Sequence, residues 1–210
     1  MKKIILGIIL LCTVTLSAQT PILNIHTADF AQIENAYYKD IEQFQNKFVG
    51  TWVYTDAVKT IRFRFAKKQM FFYQSFKNCY VDFLVGEMQY IENGVEKINS
   101  LTNLNVNHPN IFNYSMNGDI KVHNNWYPKC DECDDFVPRL PMSYDEPNND
   151  DVGLRAAFVM RRADEGGVQK IKIQYIKTNT ALGVQSDYET PSTTTNFTIP
   201  YGDYTLIKEN

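Results

Sequence analysis

The chain has 210 residues, 44% hydrophobic and 21% charged, a balance that excludes a disordered chain and allows one or two domains. Ten Gly and eight Pro are too few for a fibrous or low-complexity protein, and the 13 Tyr and 13 Phe suit β-structure. A formal net charge of −3 argues against a basic nucleic-acid surface.

The chain opens as an address. Lys2 and Lys3 precede an apolar run from Ile4 to Leu16, and Ser17-Ala18-Gln19 follows. A basic start, a short apolar core and a small residue at the boundary describe a secretory signal peptide over residues 1–18, too short for a membrane span. Cleavage after Ala18 leaves 19 basic and 24 acidic side chains, net −5. The expected product is periplasmic or extracellular and has no membrane-spanning segment.

Residues 19–28 read as an extended lead-in, and residues 29–210 as a single domain. Phe30, Ile33, Tyr37, Ile41, Phe44 and Phe48 recur at helical spacing, which predicts a helix over about 29–47 that ends near Gly50. From Thr51 the period becomes two. Ile61, Phe63 and Phe65 alternate with Arg62 and Arg64, so the arginines point outward and the apolar residues inward. Lys67-Lys68-Gln69 reads as a turn before a strand at 70–76. Tyr80–Ile91 reads as a long strand with Gly86 marking a bulge or bend. Asn93-Gly94 is a hairpin signal leading into 95–98, and Asn117-Gly118 is a second one.

Residues 99–125 hold nine Asn and predict short strands and loops. Residues 126–153, with Pro128, Pro138, Pro141 and Pro147, read as irregular. Later strands fall at 154–162, 168–177 and 201–208, with Asp164-Glu165-Gly166-Gly167 as a turn and 185–196 as a polar loop. One helix followed by eight to ten short-linked strands predicts an antiparallel barrel or sandwich.

Phe48-Val49-Gly50-Thr51-Trp52, at the helix–strand junction, resembles the Gly-x-Trp signature of the lipocalin (calycin) barrel. The resemblance implies an eight-stranded barrel whose floor is closed by a short helix and plugged by Trp52, with a basic residue of the last strand, here Lys208, packed over the ring. The stretch Gly86-Glu87-Met88-Gln89-Tyr90-Ile91-Glu92-Asn93-Gly94, ending in Asn99, resembles a lipocalin-like family of unknown function in exported Bacteroidota proteins. That likeness covers about residues 44–100. It assigns no catalytic residue, so none carries over.

Three constellations bear on chemistry. Cys130-Asp131-Glu132-Cys133 allows a structural disulfide, either within the pair or from one of them to Cys79. It also allows half a zinc site completed by His108, His123 or Cys79, or free thiols. Redox catalysis is disfavoured, because Asp131, Glu132, Asp134 and Asp135 oppose a thiolate. Eight acids and one base between Cys130 and Asp151 form either a solvated acidic loop or a cation-binding one, without EF-hand spacing. Trp52, Tyr54, Phe63, Phe65, Phe72, Leu84, Met88, Tyr90, Phe158 and Tyr175 fall on the predicted inward faces. They either fill the barrel or line a ligand cavity.

No nucleophile elbow, zinc-protease motif, phosphate loop or dinucleotide fingerprint occurs, so the sequence predicts no catalysis, metal or cofactor. Asp82, Glu87 and His123 are the first suspects for an active centre if one exists. The expected function is to hold a small apolar or amphipathic molecule. The alternative is an interaction protein with a filled barrel that works through its acidic and polar loops.

Overall fold

The computed structural model describes residues 20–75, 77–147, 155–179 and 197–209. The signal-peptide segment and the polar loop at 185–196 lie outside the described residues. Eleven strands are present among those described: β1 (Ile22–Asn24), β2 (Tyr37–Lys39), β3 (Gly50–Thr55), β4 (Lys59–Gln74), β5 (Asn78–Glu92), β6 (Val95–Asn99), β7 (Met116–Gly118), β8 (Leu140–Tyr144), β9 (Arg155–Arg162), β10 (Lys170–Asn179) and β11 (Gly202–Lys208).

Eight of them close an antiparallel barrel in the order β5-β4-β3-β11-β10-β9-β8-β7, with β7 returning to β5. Closure leaves these strands no free edge along the ring. The strand β5 organises the rest. One edge pairs with β4 over its length, while the other takes β2, β7 and β6 in succession. Both its faces are buried. Leu84, Met88 and Tyr90 enter the barrel core, while Val81, Phe83 and Val85 enter a second cluster outside the wall, covered by Ile25, Ala36, Tyr38, Leu104, Ile111 and Tyr114. Burial on two faces removes the need for a polar side and explains why this stretch shows so little alternation.

The predicted helix over 29–47 is absent. That segment holds turns, the strand β2 in parallel pairing with β1 and β5, and a single 3-10 turn at Gln45–Lys47. Its apolar residues do not share a face. Phe30 and Tyr38 pack outside the barrel, Phe44 and Phe48 inside, and Ile33 and Ile41 are exposed. Positive φ at Ala31, Asn35 and Gln43 breaks any helical run. Asp40 also captures the backbone N–H groups of Phe44 (2.9 Å) and Gln45 (3.0 Å), offering the chain an alternative to helical bonding.

The predicted turn at 67–69 is a bulge instead. Here β4 runs on unbroken, with a register shift between Lys68 and Phe71 and positive φ at Met70. The β4–β5 hairpin therefore overhangs the barrel end, and Phe72 sits on the overhang, 46% exposed, rather than in the interior. Gly86 carries no bulge: a Cβ there would lie 2.5 Å from Phe65 Cδ1, so the glycine makes room for that ring. Asn93-Gly94 forms its hairpin with positive φ at both residues. Asn117-Gly118 instead lies within β7. The strand β8 emerges from the proline-rich stretch read as irregular, with Pro141 opposite Val159 of β9.

Candidate functional site

Strand polarity gives the barrel two distinct ends. At the end where β3 begins, Phe44, Phe48 and Trp52 plug the interior. The Trp52 indole donates from Nε1 to the Phe48 carbonyl at 2.7 Å. The Arg162 guanidinium and the Lys208 ammonium lie 4.9 and 5.5 Å from its ring centroid, both within cation–π range. Gly50 has φ of 124°, a backbone that calls for glycine two residues before Trp52, and a Cβ there would stand 3.1 Å from Lys208 Cε, close enough to nudge that side chain.

Beside this floor lies a buried ion network. Lys67 Nζ sits 2.8 Å from Asp40 and 3.4 Å from Asp82. The Tyr37 hydroxyl donates to Asp82 at 2.6 Å, and the Asp40 and Met70 backbone N–H groups donate to Asp82 at 3.1 and 3.0 Å. Burial alone would raise the Asp40 carboxyl, but the Lys67 ammonium and two backbone donors hold it below its ordinary 3.8. The floor is thus sealed by apolar packing and by charges whose partners are all present.

The opposite end is different. Tyr54, Tyr90, Tyr144, Tyr175, Tyr201 and Tyr204 gather there around Phe158 and Phe197. Phe158 and Tyr175 stack at 4.4 Å, Tyr144 meets Phe158 at 4.9 Å, and Tyr175 meets Tyr201 at 4.8 Å. Three hydroxyls are anchored: Tyr54 donates to Asp56, Tyr90 to Glu92 and Tyr204 to the Pro200 carbonyl. The hydroxyls of Tyr144 and Tyr175 are buried and have no hydrogen-bond partner among the described residues. Burial pushes both phenols well up, and the nearby Glu146 carboxylate pushes in the same direction. Burial likewise raises Tyr204, to about 12. At neutral pH the cluster therefore offers uncharged O–H donors among aromatic rings. Glu146 is engaged by Thr198, whose N–H and hydroxyl donate to it at 2.7 and 2.6 Å.

A model of a family of unknown function, DUF6705, matches residues 1–209. The chain belongs to that family. No curated protein and no solved structure matches the chain. Family membership brings no activity with it. The closed eight-stranded antiparallel barrel is consistent with lipocalin-like architecture.

In this member of the family, nine of the ten residues expected to face inward belong to the barrel core or pack against it. Trp52, Phe63, Phe65, Leu84, Met88, Tyr90, Phe158 and Tyr175 are buried, and Tyr54 is half-buried at the tyrosine end. Phe72, on the overhang, does not join them. Sequence reasoning missed Tyr144, Phe197, Tyr201 and Tyr204. Tyr144 was hidden in the proline-rich stretch, and Phe197 and Tyr201 flank a polar loop. Tyr204 was visible through the period-two spacing of Tyr204 and Leu206.

Cys130 and Cys133 are bonded to each other, and Cys79 is free and buried, its thiol raised chiefly by burial. This is the disulfide reading of the pair. The acidic loop is anchored, since Glu132 bonds Arg161 and Lys172 on the barrel wall. Among the described residues, no three His, Cys, Asp or Glu side chains gather at metal-binding distance. Asp82 and Glu87 face opposite sides of β5. Glu87 is held by Ser115 and Asn103, and His123 offers its carbonyl to Arg139, so the three suspects do not converge. No helix among the described residues is long and apolar enough to cross a membrane.

Proposed function

We propose that this protein is an exported, lipocalin-like binding protein without catalytic activity. It holds a small apolar or amphipathic molecule at the tyrosine-lined end of its barrel. The observation that carries the reading is the pair Tyr144 and Tyr175, which with Tyr201 hold buried hydroxyls without partners among the described residues, set among rings at the end opposite a sealed floor. A buried unpaired hydroxyl is costly, and a ligand acceptor would offset that cost. Burial of the ligand's apolar surface adds about 25 cal/mol per Å² before ordering costs. Gly50 and Trp52, with Lys208 over the indole, support kinship with lipocalins. The disulfide and the sequence of residues 1–18 support export.

A second reading is favoured by the packing itself. Phe63 stacks on Phe65 at 5.8 Å and meets Phe158 edge-on at 5.0 Å, so the middle of the barrel is filled by side chains. In that reading the protein acts through its loops. Native mass spectrometry of protein purified gently from its exporting host separates the two. The binding reading expects a chain beginning at Gln19 with an added mass that organic extraction removes, and loss of that mass in the Tyr144→Phe, Tyr175→Phe double variant. A bare chain that also takes up nothing from a lipid extract of the host overturns it in favour of the loops.

A further inference from the structure

A separate cleft of about 380 Å³ lies on the outer wall, over β7, β8 and β9, within the size range of small-molecule sites. Its lining combines two unusual features. Large aromatic side chains stand open to solvent at its rim, with Phe112 54% and Trp126 42% exposed, and Tyr73 contributes a third ring. Among these rings lies Asp119, directly after β7. Its carboxyl takes part in no ion pair among the described residues, and the backbone N–H groups of Asp119 and Ile120 beside it offset only part of the effect of its burial. Among the described residues Arg155 is the one basic residue of the lining, and its guanidinium stands 3.9 Å from Asp145 instead. The lining thus carries Asp119 and Asp145 against Arg155, a net negative charge walled by π-faces.

This combination selects a particular chemistry. A carboxylate partly withdrawn from water and without an ion-pair partner gains from a cation placed beside it. Aromatic faces attract the same cation and supply apolar contact for whatever carries it. An anion meets repulsion here, and a neutral apolar molecule leaves the carboxylate without a counter-ion. We propose that this cleft binds a small organic cation, an ammonium group on an apolar body, with Asp119 as its counter-ion and Trp126 and Phe112 as its aromatic walls. The cleft shares Tyr144 with the tyrosine end of the barrel, but Asp119, Phe112 and Trp126 belong to the cleft and not to the barrel core, so variants at these residues test it apart from the function proposed above.

Burial raises the Asp119 carboxyl from its ordinary 3.8 to about 6, so the counter-ion is charged at neutral pH and lost under mild acid. The titratable groups that share the cleft with it among the described residues are Tyr73 from β4, Tyr144 from β8, Asp145 after β8 and Arg155 from β9. The test titrates the full exported chain with three probes of similar body. They are benzyltrimethylammonium, whose charge is fixed at every pH, benzyl alcohol, and phenylacetate. Calorimetry and tryptophan fluorescence read the binding; Trp52 is buried in the barrel, so a fluorescence change lost in Trp126→Phe reports the cleft.

At about pH 7.5 the cation is expected to saturate and to bind about tenfold or more tightly than the alcohol or the acid. Its affinity falls as the pH is lowered through about 6. Asp119→Asn removes both the cation preference and the pH dependence, whereas Asp145→Asn keeps the pH dependence. Circular dichroism confirms that each variant is folded, and Trp126→Ala weakens the cation through loss of the wall. Absence of saturable cation binding, equal affinity for all three probes, or an Asp119→Asn variant that still prefers the cation overturns the proposal.

Discussion

Trp52 shows how much one side chain carries. Its ring is fully buried, its N–H is satisfied by Phe48, and two cations lie over its faces. Trp52→Ala leaves a cavity at the floor and an unpaired Phe48 carbonyl, and is expected to cost about 3–5 kcal/mol in chemical denaturation. A loss below about 1 kcal/mol would mean that the floor is held by other contacts. Asp119 presents the opposite case. Its carboxyl is raised from 3.8 to about 6, so between those values the folded chain binds more protons than the unfolded one. Stability therefore falls as the pH rises through this window, and the penalty is complete above it. Asp119→Asn is expected to raise stability by about 1–3 kcal/mol at neutral pH and by little near pH 4. Urea midpoints at the two pH values check it, and equal shifts at both would refute it.

Among the elements, the β4–β5 pair does most to position the rest. Its bulge at Lys68–Phe71 turns the Met70 N–H onto Asp82, and its inward Lys67 bridges Asp82 to Asp40 on the floor segment. The network joins three stretches distant in sequence, and all its members are satisfied. Lys67→Met leaves two buried carboxylates without their cation and is expected to cost about 3–5 kcal/mol at neutral pH. The signs of the pH effects differ. In the native chain Asp40 sits below 3.8, so its contribution is present above that value and lost as the pH falls through the lowered one. In the variant the Asp40 carboxylate loses the ammonium that lowers it and protonates more readily, so the gap to the native chain narrows on acidification. A gap that stays constant from about pH 7 to about pH 4 would show that Lys67 acts through packing of its stem alone.

At the scale of the molecule, closure decides stability. The strand β11 joins β10 to β3, and its seam with β3 rests on two paired residues, Ile207 with Val53 and Lys208 with Trp52, plus the Glu209 N–H donating to Thr51. Deleting residues 202–210 removes Tyr204 and Leu206 from the core and leaves β3 and β10 as open edges. The deletion is expected to abolish the cooperative urea transition, which near-ultraviolet circular dichroism reads directly. A sharp transition in the truncated chain would show that the barrel closes without its last strand. The arrangement also divides labour between the ends. The floor is sealed by rings and ion pairs, while the tyrosine end keeps the Tyr144, Tyr175 and Tyr201 hydroxyls without partners among the described residues.

The sequence by itself determined the parts governed by local physics. The alternation in 61–65 set a half-buried strand, Asn93-Gly94 set a hairpin, and Gly50 with Trp52 marked where the barrel begins. Most of the inward aromatic set followed from the same period of two. Only the tertiary structure decided the rest, because those features depend on partners far along the chain. The helical spacing of 30–48 arose from residues that serve two separate clusters. The bulge that strands Phe72 outside answers to Asp82, and β8 forms despite Pro141 because β9 supplies its partner. The tyrosine end draws Tyr54, Tyr144 and Tyr204 from three strands that only closure of the barrel brings to one place.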